Sequence, residues 1–259
     1  KGIATVTRQK YLTASEKGPW ANSYDRWRND NLTHRYQGVQ FGYTSAGRYT
    51  SWNDIWSYNA FKERDILPGD YKYEDWNGDG EINGQDEHPF AFDQTPWLQF
   101  SLNAGLQWKN FDFNMLLQGS ALGSMEYKEP LHEIWGKNGG GALTQFLDRW
   151  HPLDPKADPY NPATVWTSGH YAYTGRWAKN NSAFNRVSTA YLRLKSIELG
   201  YTFPKLKQIP NASLRVYANA YNLLTFTGVK FVDPEHPDDD LGRMYPLNKT
   251  YTLGVSLSF

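Results

Sequence analysis

The chain has 259 residues, 39% hydrophobic and 16% aromatic, with 27 Lys plus Arg against 27 Asp plus Glu. That balance leaves no basic excess to neutralise phosphates, so no nucleic-acid partner is expected, and the lack of cysteine excludes a disulfide scaffold or a thiolate metal site. No stretch approaches the roughly 18 to 20 apolar residues of a membrane-spanning helix, yet this hydrophilic chain holds 11 Trp, 18 Tyr and 13 Phe, which suits a secreted β-sandwich or a membrane β-barrel whose lipid face is hidden by alternation.

The chain opens on K-G-I-A-T-V-T, with no initiator Met and no signal-peptide core, which reads as a mature or cut end and the whole as a fragment. Residues 33–49, with Tyr36, Val39, Phe41 and Tyr43, are expected to hold one or two strands. A long connection follows over residues 51–96 and contains D-W-N-G-D-G-E-I-N-G-Q-D at 75–86. Calcium takes six to eight oxygens, and a twelve-residue loop offers them from positions 1, 3, 5, 7 and 12. Here those are Asp75, Asn77, Asp79, the main-chain carbonyl of Glu81, and Asp86, with Gly80 at the sharp turn and Ile82 as the apolar anchor. Asp stands where Glu is usual at position 12 and reaches less far. The flanking L-P-G at 67–69 and H-P at 88–89 forbid the helix pair of an EF-hand switch. The reading is a structural Ca²⁺ or Mg²⁺ loop that stiffens the connection.

Strict alternation begins at Leu98. Leu98, Phe100, Leu102, Ala104, Leu106 and Trp108 oppose Gln99, Ser101, Asn103, Gly105 and Gln107, a period of two over the length that a tilted strand needs to cross a bilayer. After Lys109-Asn110, Phe111, Phe113, Met115 and Leu117 oppose Asp112, Asn114 and Gln118, with Leu116 the exception. More than sixty residues then separate this hairpin from the strand at 191–203, where the apolar set moves from Leu192 and Leu194 to Ile197, Leu199, Tyr201 and Phe203. That switch predicts a bulge near Lys195-Ser196. A short connection, 204–211, leads to Val216, Ala218 and Ala220 opposed by Arg215, Tyr217, Asn219 and Tyr221. A connection of more than twenty residues carries Asp233, Glu235, Asp238, Asp239 and Asp240, most simply a solvated acidic face. The last strand sets Tyr251, Leu253, Val255, Leu257 and Phe259 against Thr252, Gly254, Ser256 and Ser258. A soluble sandwich face also alternates, but long and short connections taken in turn suit a meander across a membrane, with the C-terminus on the short-turn, periplasmic side.

Catalytic motifs are absent: the six histidines form no H-E-x-x-H, and there is no G-x-S-x-G, G-x-x-x-x-G-K or G-x-G-x-x-G. The expectation is a protein that is not an enzyme.

The ordered set G-D-Y-K-Y-E-D-W-N-G-D-G-E-I-N-G-Q-D (69–86), Y-L-R-L-K (191–195), L-G-Y-T-F-P (199–204), L-R-V-Y-A-N-A-Y-N-L-L-T (214–225), D-P-E (233–235), Y-P (245–246) and the terminal T-L-G-V-S-L-S-F resembles the C-terminal part of SusC/RagA-type TonB-dependent transporters of Bacteroidetes outer membranes. The resemblance covers residues 51–259. It implies that residues 1–259 are C-terminal strands of a 22-stranded barrel, transmembrane and antiparallel, with long extracellular loops. The plug domain, and the TonB box ahead of it, have no counterpart in the chain, so the resemblance implies that the chain is completed by a preceding polypeptide or is a proteolytic piece of one. It further implies a SusD-like surface lipoprotein as lid, oligosaccharide or peptide cargo caught beneath it, energy delivered through TonB, and a lipid bilayer around the wall. Trp97 and Trp108 would then be girdle aromatics, Gln99, Asn103, Asn114, Arg215 and Asn219 would line the lumen, the Trp- and Tyr-rich stretches 52–58 and 166–177 would meet lid or cargo, and Phe259 would be the terminal aromatic read by the assembly machinery. Two further readings stay open on the residues alone: a complete small barrel acting as pore or adhesin, and a secreted, calcium-stabilised carbohydrate-binding sandwich.

Overall fold

The computed structural model describes residues 1–14, 32–58, 65–128, 131–132, 134, 143–175, 178–179, 181–204, 212–236 and 242–258. In chain order the strands are β1 (Gly2–Val6), β2 (Gln40–Gly42), β3 (Ser45–Arg48), β4 (Tyr71–Tyr73), β5 (His88–Ala91), β6 (Leu98–Trp108), β7 (Phe111–Ala121) and β8 (Ser124–Glu126), then β9 (His151–Pro152), β10 (Trp166–Thr167), β11 (Arg186–Ser188), β12 (Tyr191–Phe203), β13 (Ser213–Thr227) and β14 (Thr250–Ser258). Among the described residues a short α-helix, α1 (Trp52–Ser57), is capped by Ser51, whose hydroxyl accepts from the Asp54 amide.

Six strands form one antiparallel sheet in the order β1-β6-β7-β12-β13-β14. Its hairpin turn is two residues long, and Lys109 adopts a left-handed φ of 56° there. Cross-strand register puts whole rows of side chains on one face. Leu106 lies opposite Phe113, Phe113 opposite Leu199, Leu199 opposite Ala218 and Ala218 opposite Leu253. The next row on the opposite face runs Gly105, Asn114, Glu198, Asn219 and Thr252. The sheet therefore has an apolar and a polar face across all its long strands. Among the described residues nothing covers the apolar one: Leu106 is 64% exposed, Leu199 54% and Leu253 77%.

The predicted bulge is present, with register shifting between Leu194 and Ser196 against both neighbouring strands. Without it, Leu192 and Leu194 would face the opposite way from Ile197 and Leu199. On β13 two residues, Asn222 and Leu223, stand opposite Lys195, and Asn222 relieves the distortion with a φ of 52°.

The strands expected over residues 33–49 exist as β2 and β3, but they pair with β5 and β4 outside the large sheet. The sixth long-sheet member is instead β1, which pairs Gly2 with Leu102 and Val6 with Leu98. Its five residues were too short and too mixed to betray a pattern. Phe259, the residues 205–211 of the short connection and Asp238, Asp239 and Asp240 lie outside the described residues.

The two longest connections fold together into a lobe at one end of the sheet. Its core holds Tyr43, Tyr71, Tyr73, Ala172 and Ala178, with Ile82 and Phe184 packed on it. The rings meet edge to face, Tyr71 to Phe184 at 4.8 Å and Tyr73 to Phe184 at 5.6 Å. Arg48 lies 4.4 Å over Tyr71 and donates to the Gly69 carbonyl at 2.6 Å. Backbone bonds join the connections directly: Tyr43 N–H to Asn181 O at 3.0 Å, and Ala183 N–H to Tyr43 O at 2.9 Å. Gly42 permits this approach, since a Cβ there would sit 1.6 Å from the Asn181 carbonyl oxygen. Gly42→Ala should therefore destabilise the lobe by at least the roughly 1–3 kcal/mol of ordinary overpacking, read as faster proteolysis within residues 122–190, whereas Gly84→Ala, with open space around it, should leave cleavage unchanged.

Candidate functional site

The polar face carries two ion clusters, one toward each end. Near the short turns, Arg215 of β13 donates through Nε to Asp112 Oδ1 of β7 at 3.0 Å, through Nη2 to Asp112 Oδ2, and through Nη2 to Glu198 Oε1 of β12 at 2.6 Å. The planar guanidinium can serve both acids in this way because its donors are fixed in a fork. To reach β7 it must cross the intervening β12, and Gly200 is the crossing point: a Cβ there would lie 2.5 Å from Asp112 Oδ1 and 2.6 Å from Arg215 Nη2. The glycine of L-G-Y-T-F-P thus makes room for a salt bridge.

At the other end, Arg193 and Lys195 of β12 meet Asp233 and Glu235 from the connection after β13. Arg193 Nη2 donates to both Asp233 oxygens at 2.8 and 2.7 Å, Arg193 Nη1 lies 3.0 Å from Glu235 Oε2, and Lys195 Nζ lies 2.9 Å from the same oxygen. Arg193 is only 2% exposed. Pro234 and an Asx turn, in which Glu235 N–H donates to Asp233 Oδ1 at 2.9 Å, aim the two acids together. Nearby, the Tyr127 hydroxyl donates to the Lys230 carbonyl at 2.8 Å and accepts from the Lys230 amide at 2.9 Å. As a neutral hydroxyl it can do both, and burial pushes the phenol further above its ordinary range. The acids of D-P-E are therefore clamped by a guanidinium and an ammonium rather than forming a solvated face. The matched spacing of two in R-x-K and D-x-E was the available signal, but some forty residues separate them.

The five predicted cation ligands share one tight turn. Asp75 Oδ1 and Oδ2 accept from Gly78 and Gly80 N–H, both at 2.8 Å, Asn77 Oδ1 from Asp79 N–H at 3.0 Å, and Asp79 Oδ1 from Glu81 N–H at 2.8 Å. Asp86, fully buried, accepts from Trp76 N–H at 2.9 Å and Asn83 N–H at 2.8 Å. Gly78 and Gly80 take φ of 73° and 83°, conformations that glycine adopts without strain. Trp76 stacks on His88 at 3.7 Å. Among the described residues no group of three or more His, Asp or Glu is gathered so as to hold a metal ion; the oxygens point first to the loop's own amides.

Of the residues expected on the lumen side, Gln99, Asn103, Asn114, Arg215 and Asn219 all fall on the polar face. Trp108 is 62% exposed at the hairpin end. Trp97, at the other end, packs on Tyr36 at 5.1 Å and Phe92 at 4.9 Å. Breaking the buried cluster should be costly: Arg193→Met leaves Asp233 and Glu235 without their guanidinium and should lower stability by about 3–5 kcal/mol. Adding Asp233→Asn and Glu235→Gln should recover part of that loss in a denaturant titration.

No family model matches the chain. TonB-dependent receptor P3 of Formosa agariphila is 28% identical over 238 residues, covering 86% of this chain and 22% of the receptor. TonB-dependent receptor SusC of Bacteroides thetaiotaomicron is 26% identical over 210 residues, covering 80% and 19%. Among solved structures, one of the RagAB peptide transporter aligns with a TM-score of 0.55 at 19% identity, covering 85% of this chain and 22% of that one. A structure of the RagAB peptide importer in the closed-closed state aligns at 0.53 and 20% identity, covering 88% and 23%; at such identities the likeness is one of fold. The chain spans about a fifth of the length of the curated relatives it matches. Over most of its length the chain is thus similar in sequence to TonB-dependent receptors, SusC among them, and similar in fold to a chain of the RagAB transporter.

Proposed function

We propose that this chain is a wall segment, the C-terminal strands, of a 22-stranded outer-membrane barrel that imports nutrients with TonB-supplied energy. The observation that carries this reading is the uncovered apolar face of a sheet whose other face is polar and ion-paired. An exposed apolar surface of this extent calls for a lipid or protein partner. Eleven residues of β6 span about 37 Å at ~3.4 Å per residue, or about 26 Å at a 45° tilt, close to the roughly 25 Å apolar band of outer-membrane barrels. The end strands β1 and β14 each have one neighbour within the sheet, as a stretch of wall requires. In this reading the long connections at one edge would be extracellular, lobe included, and the short ones at the other periplasmic, with the C-terminus on the periplasmic side. A SusD-like lipoprotein would then cover the lobe, and oligosaccharides or peptides would enter between them. The chain's part is transport rather than catalysis.

Leu199→Arg, near the middle of β12 on the apolar face, should cost about 2–4 kcal/mol of membrane stability and deplete the assembled, heat-modifiable form. Asn103→Arg on the polar face should assemble normally. Equal behaviour of the two would refute a lipid-facing role.

The Asp75–Asp86 loop enters as the stiffener of an extracellular connection. Its carboxylate oxygens keep lone pairs beyond those given to amides, and Ca²⁺ or Mg²⁺ would bind through these and the Glu81 carbonyl. Asp75→Ala with Asp79→Ala should remove a bound divalent ion measured by elemental analysis; full occupancy in the double variant would sink the ligand assignment.

A further inference from the structure

The polar face holds a cavity of about 640 Å³ at its lobe end, walled by Gln94, Gln99, Gln118, Thr189, Tyr191 and Glu235. That volume lies within the range of small-ligand sites. Two features of the wall are unspent. Thr189 is 2% exposed, and its hydroxyl has no hydrogen-bond partner among the described residues, a costly state for a buried polar group. The three carboxamides likewise make no side-chain hydrogen bond among the described residues, the one bond recorded at Gln94 being through its backbone. Each can donate and accept at once.

Charge narrows the ligand. Among the described residues Glu235 is the one ionisable acid or base on the wall apart from the Tyr191 phenol, and it is neutralised by Lys195 at 2.9 Å and Arg193 at 3.0 Å. Arg193 in turn is committed to Asp233. A free peptide is zwitterionic and would find no unpaired cation for its carboxylate among the described residues of the wall; a saccharide needs none, since hydroxyls both donate and accept as carboxamides do. The ring of Tyr191 adds a flat apolar surface beside the polar groups.

We infer that this cavity is a binding site for an uncharged saccharide on its way along the barrel wall, with Asp233-Pro234-Glu235 as the arm that closes its rim. The inference rests on the importer reading and selects between its two cargo classes. The test uses the full-length transporter carrying this segment, with Gln99→Cys as the sole reactive thiol, labelled by a small maleimide. Neutral trisaccharides of glucose, galactose and mannose are compared with trialanine. At least one trisaccharide should slow labelling several-fold and bind in calorimetry, with affinity falling tenfold or more in Gln118→Leu and Thr189→Val, while trialanine does neither. A thiol that never reacts, because the complete protein fills the cavity, would overturn the site. So would protection by trialanine alone, no protection by any trisaccharide, or unchanged affinity in both variants. Saccharide binding that persists in a protein whose cells show no TonB-dependent uptake would leave the site standing and defeat the importer reading instead.

Discussion

A β-strand alternates its side chains with a period of two, and a sheet with one apolar face requires every strand to keep that phase across its whole length. This constraint explains more of the molecule than any single contact. It sets the pairing of β6 with β7, where Leu98 opposite Ala121 and Trp108 opposite Phe111 begin and end one apolar column. It also explains why β12 contains a bulge. The apolar residues of Y-L-R-L-K and of I-E-L-G-Y-T-F are out of phase, and the extra residue at Lys195 brings both onto the same side. The polar columns then fall opposite one another by default, and the ion clusters follow from that alignment.

The ion clusters show how a polar wall is kept rigid without a packed core behind it. Arg215 bridges three strands, binding acids on β7 and β12 from β13, so the strands are tied by side chains as well as by backbone hydrogen bonds. At the lobe end Arg193 and Lys195 do something different, since their partners come from a connection rather than a strand. One cluster braces the wall, and the other anchors a loop to it.

Alternation made four of the long strands and the bulge legible in the sequence, because each residue's face depends only on its immediate neighbours. β1 was not legible: five residues, Gly2–Val6, carry too few alternations, and Ile3 sits on the polar face opposite Ser101. The short strands β2 and β3 could be suspected but not placed, since their partners β5 and β4 lie well along the chain, on either side of the Asp75–Asp86 turn. The turn itself was visible as a pattern of acids and glycines, and its oxygens could be named in advance. Their first partners, the loop's own amides, could not, because carboxylates suited to a cation are equally suited to N–H groups that point the same way. The clamp on Asp233 and Glu235 escaped for a simpler reason: charge complementarity across forty residues is not visible until the chain has folded.

Tyr43 and Asn181 belong to different connections, yet they share a backbone hydrogen bond, and Tyr73 from the first connection donates its core ring to Phe184 of the second. The central aromatic cluster is therefore shared between the two connections. In evolutionary terms that sharing couples them: recombination that replaced one connection while keeping the other would leave the shared aromatic cluster without part of its packing.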